Sequence, residues 1–74
     1  MEVRNERDVK IADALVQLRR SLDLDRPQAE VRVILAEALG AIDPDWRDDA
    51  QKVRWVRTLG VPAAAAALLD KYGL

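Results

Sequence analysis

The chain contains no cysteine, no histidine and no phenylalanine. Each absence removes a class of chemistry. Without cysteine there are no disulfides, thiolate nucleophiles or thiolate metal sites. Without histidine, the side chain that titrates near neutral pH is not available as a general base. Aromatics make up 4% of the 74 residues, as Trp46, Trp55 and Tyr72, so the core has to be built from Ala, Leu and Val. Long apolar runs are also lacking. The longest uncharged stretch, Thr58 to Leu69, is interrupted by Gly60 and Pro62, and is shorter than the ~20 apolar residues a bilayer span needs. Met1 to Glu6 has no apolar segment behind a basic start, so no signal peptide is read and no membrane association is expected. The expected setting is the cytoplasm.

A strong charge of either sign is missing too. Charged residues form 34% of the chain but balance to a net charge of −1, so no global field draws it to nucleic acid or to anionic lipid. The hydroxyls are limited to Ser21, Thr58 and Tyr72, none with an activating neighbour in sequence. Residues 1–74 are read as a single small domain, with 1–4 and 73–74 the expected disordered ends. Such a domain buries only about 60% of the surface its unfolded chain exposes, and a pocket of the ~300 Å³ typical of small-molecule sites is not expected in it. The chain is therefore read as a non-enzyme with no cofactor, metal or small-molecule substrate. Its thin core points to self-association, most simply as a homodimer.

What is present is helical periodicity. Ile11, Leu15, Leu18 and Leu22 succeed one another at spacings of four, three and four, which places them on one face of a first helix. Asn5 is the expected cap and Glu6 with Lys10 an expected i,i+4 pair. Pro27 suits the first turn of a second helix, which is apolar around much of its circumference from Ala29 to Ile42 and so is expected at the centre of the fold. Gly40 is read as its left-handed stop. A third helix is expected from about Pro44 to Leu59. At 100° per residue it sends Trp46 and Trp55 to opposite sides, leaving Trp55 either covered by the next helix or free for a partner. Gly60 closes that helix and Pro62 opens a fourth, which carries five consecutive alanines and stops at Gly73. The expected fold class is all-α, a compact bundle of about four short helices whose last two are joined by a tight turn.

Two clusters suggest chemistry. Asp43-Pro44-Asp45-Trp46-Arg47-Asp48-Asp49 is rich in oxygen ligands, but it lacks the glycine and the distal glutamate of a calcium loop at the required spacing. These acids are read instead as caps that complement the helix dipole, with Asp48 and Lys52 a further i,i+4 pair. Lys52, Arg54 and Arg57 flank Trp55 and could contact phosphates.

Val56-Arg57-Thr58-Leu59-Gly60-Val61-Pro62, with Ala66 and Leu69 beyond as inward positions, resembles the helix-turn-helix pattern over about 20 residues. The resemblance implies a second helix that reads base edges through polar side chains. Here the outward positions would be Pro62, Ala63, Ala64, Ala67 and Leu68, which offer methyl groups and no donors. Two functions from different classes remain open. The first is a non-catalytic protein-interaction module, an adaptor, inhibitor or assembly subunit, contacting another protein or a second copy of itself through Trp55, Ala63, Ala64, Ala67 and Leu68. The alternative is a small helix-turn-helix regulator that holds DNA phosphates through Lys52, Arg54 and Arg57.

Overall fold

The computed structural model describes residues 6–74; the Asn5 cap and the disorder expected over 1–4 lie outside the described residues. Helix α1 spans Glu6–Asp23, α2 Gln28–Ile42, α3 Ala50–Leu59 and α4 Val61–Lys71, with one turn of 3-10 helix over Trp46–Asp48 before α3. No strand occurs among the described residues. The all-α bundle with a tight α3–α4 turn is thus the fold.

The core lies between α1, α2 and α4. Leu18, Leu35 and Leu69 are its largest fully buried side chains, and Ala38, Ala64 and Ala65 are sealed beside them. Small side chains at these contacts let α2 and α4 approach closely while excluding water. On α1, Leu15 and Leu18 are buried and Ile11 and Leu22 pack on the edge of the core, as the spacing predicts. Ser21 is buried on the same face, and its hydroxyl donates to the Leu18 carbonyl at 2.7 Å. The ion pair on α1 among the described residues is Arg19–Asp23 at 3.4 Å, not Glu6–Lys10. α2 is covered by α1 and α4 but leaves Val33 58% exposed.

The helix boundaries correct several expectations. Pro27 sits just outside α2, where its carbonyl accepts the Glu30 and Val31 N–H groups at 3.0 and 3.1 Å. Gly40 does not stop α2, which continues through it to Ile42 and closes where the Asp43 N–H donates to the Leu39 carbonyl at 2.8 Å. Ile42 packs against the core, and that burial holds the last turn helical despite the glycine. The third helix is not continuous from Pro44. Asp49 is extended (φ −90°, ψ 104°), and its carboxylate accepts the Gln51 and Lys52 N–H groups at 3.0 and 3.4 Å, starting α3 afresh at Ala50. A side-chain cap that satisfies the orphan amides makes this restart favourable. The 100°-per-residue reckoning does not carry across such a break.

The α3–α4 turn consists of Gly60 alone. Its φ of 83° and ψ of 163° lie in a region open essentially to glycine only, and its N–H and carbonyl bond to Val56 of α3 and Ala64 of α4 at 2.9 Å each. α3 packs chiefly against α4 and the 3-10 turn and has no fully buried residue.

Candidate functional site

Restarting the helix at Asp49 brings the two tryptophans together. Trp46 and Trp55 are each half-buried against the edge of the core, and both line one groove of about 320 Å³. Leu39 and Ile42 at the end of α2 form one wall, and Ala67, Leu68 and Tyr72 on the α4 side form the other. The expectation that so small a bundle has no room for a pocket of this size is corrected: a short α3 leaning on α4 leaves a cleft that a continuous helix would have filled.

The polar rim of the groove is a built feature. Lys52 reaches from α3 to Asp43 at the end of α2 and ion-pairs with it, the side chains 42% and 33% exposed. Asp43 also accepts the Asp45 N–H at 3.1 Å. Hydrogen bonding from Lys52, and then from the Asp45 N–H, holds the Asp43 carboxyl below its usual range, and the same bond to Asp43 raises the Lys52 ammonium above its own. Lys52 thus pairs with Asp43 and not with Asp48. Lys71 and the Tyr72 phenol complete the rim.

Of the residues singled out for protein contact, Trp55, Ala67 and Leu68 meet in this groove, Leu68 contributing although it is only 6% exposed. Ala64 is fully buried and is no part of any surface. Ala63 is exposed but does not line the groove. The helix-turn-helix register holds at Leu69, which is inward, and at Pro62, Ala63 and Ala67, which are exposed, but not at Ala64, Ala66 and Leu68. α4 packs on both α1 and α2, so the inward set is Val61, Ala64, Ala65, Leu68 and Leu69, and Ala66 faces out.

The basic set divides as well. Lys52 is tied to Asp43 on the tryptophan side, whereas Arg54 and Arg57 line a separate groove with Arg47 and Val53. Arg47 also lies over the Trp46 ring, its guanidinium carbon 5.3 Å from the centroid, a cation–π distance. Sequence reasoning misses Trp46 and Arg47 on these surfaces, and Arg32, which lines a further cleft with Trp46 and Arg57. Asp49 is the signal that would find the first two, since reading it as an N-cap separates the 3-10 turn from α3.

Comparison with protein-family models, with curated proteins and with solved structures returns no match. The functional reading therefore rests on the groove and its surroundings. No helix among the described residues is long and apolar enough to cross a membrane.

Proposed function

We propose that this chain is a non-catalytic protein-interaction module that receives an apolar side chain of another protein in the Trp46–Trp55 groove. The observation that supports this best is the groove itself: two indole edges, aliphatic walls and a polar rim closed by Lys52 and Asp43. Half-buried tryptophans beside an apolar cleft match the anatomy of interface hot spots, where a desolvated aromatic anchor is ringed by polar contacts. Ala67, the small exposed residue of α4 on the groove wall, leaves room for a partner's side chain to enter.

Site-specific cross-linking tests it. A photoreactive residue placed at position 71, on the exposed rim of the groove, is expected to give a discrete adduct in native lysate, suppressed by excess unmodified chain but not by excess Trp55→Ala chain. The same reporter at Asp13, exposed on α1 and away from the groove, is expected to give none. Identical adducts from both positions, or suppression by both competitors, would show that the groove is not the contact. The adduct mass separates another protein from a second copy of this chain. Ala65 is unsuitable for such probes, because it is fully buried and a charge there would unfold the bundle.

A further inference from the structure

The face beside the groove carries charge that nothing in the fold uses. Arg47, Arg54 and Arg57 line a cleft of about 360 Å³ with Asp48, Ala50 and Val53, and Arg57 continues into a second cleft of about 510 Å³ with Arg32, Trp46, Val53 and Val56. All four arginines are exposed. Among the described residues, Arg32, Arg54 and Arg57 make no ion pair or side-chain hydrogen bond, and Arg47 meets only the Trp46 ring. In a chain of net charge −1, four exposed arginines against the single carboxylate of Asp48 on the lining of the two clefts leave this face locally positive. Trp46 borders both this face and the tryptophan groove, so the two surfaces are continuous.

We infer that this arginine face binds a short acidic peptide segment of the partner protein, with Asp or Glu alternating with apolar residues. Arginine forks match carboxylates in bidentate geometry, and the floor of Val53, Val56 and Val61 takes the apolar side chains between them. A nucleic-acid backbone fits less well. Phosphodiesters have no use for a valine floor, and α4 offers no base-reading donors. A second copy of this chain also fits less well: a two-fold contact centred on this face would set arginine against arginine.

The inference rests on the protein-interaction reading above, and the two fail separately. A random dodecapeptide library displayed on phage is selected on the intact chain, and enriched peptides are labelled and measured by fluorescence anisotropy. The expected peptides alternate acidic and apolar residues. Their affinity is expected to fall at least about tenfold in the Arg54→Gln/Arg57→Gln chain, to fall several-fold between ~50 and ~200 mM salt, and to stay within about twofold in Lys10→Gln, which removes an exposed positive charge outside both clefts. The substituted arginines are exposed and unpaired, so the variant keeps its fold, checked by helical circular dichroism; Arg47→Gln provides an independent second variant with the same expected direction. Neutral or basic consensus peptides, binding that survives the arginine substitutions, an unenriched library, or tighter binding of a labelled DNA duplex than of the selected peptides would each overturn the inference. Acidic peptides that bind as described, together with no cross-link from position 71, would instead leave the arginine face standing and reject the groove.

Discussion

At the residue scale, the glycines of α2 and of the α3–α4 turn have opposite roles although the sequence reads both as helix stops. Gly60 holds φ 83° and ψ 163°, and an alanine there is expected to destabilise the fold by about 1–3 kcal/mol. Gly40 is helical, and a Cβ built on it meets only the Trp46 indole nitrogen at 3.9 Å, an ordinary contact. Gly40→Ala is therefore expected to stabilise by about 0.5–1 kcal/mol, by helix propensity and loss of unfolded-state freedom, raising the melting temperature by a few degrees. Thermal denaturation of the two variants checks both signs. Only the residues on their C-terminal side distinguish these glycines in the sequence: Pro62 after Gly60 forbids a continuous helix, while Ala41 and Ile42 after Gly40 permit one. Asp25 is not legible as a left-handed residue. It takes φ 52° because the Arg26 and Asp25 N–H groups turn back to the Ser21 and Leu22 carbonyls, a closing motif that glycine fills more often.

At the scale of elements, α1 can be read from the spacing of the stripe it buries on the common core, whereas α2 and α4 are legible as helices from composition and proline placement, without the face that α4 buries. α3 cannot, because it has no buried stripe and its start is set by one capping side chain. Asp49→Ala is expected to cost about 1 kcal/mol through loss of the cap, and hydrogen exchange is expected to show the amides of α3 opening more readily in this variant while those of α2 are little changed. The Asp43–Lys52 pair that ties α3 to α2 gives a pH dependence of known sign. The Asp43 carboxyl is depressed, so its contribution is full above its unfolded value of about 4 and is lost as pH falls through the lower folded value. The Lys52 ammonium is raised, so its contribution is full below about 10.4 and is lost as pH rises through the higher folded value. Between these limits the tie is constant. Acid titration followed by tryptophan fluorescence is expected to show loosening around Trp46 and Trp55 only at the acid end, and Asp43→Asn is expected to abolish that step.

At the scale of the whole molecule, the bundle divides labour between a three-helix core and a lightly packed α3 that opens a cleft and displays arginines. The candidate surface is half legible in the sequence. Trp55, Ala67 and Leu68 can be picked out as an aromatic beside a small-residue helix, but a continuous third helix puts Trp46 on the opposite side and merges the arginine face with Lys52. Two alanines of α4 discriminate the proposal most directly. Ala63 and Ala67 share one helix and are both exposed, but only Ala67 lines the tryptophan groove. With the protein captured from position 71 as titrant, calorimetry is expected to give at least about a hundredfold weaker binding for Ala67→Glu and a change within about twofold for Ala63→Glu. Equal losses for the two substitutions, or undiminished binding by Ala67→Glu, would contradict the assignment of the groove as the contact site.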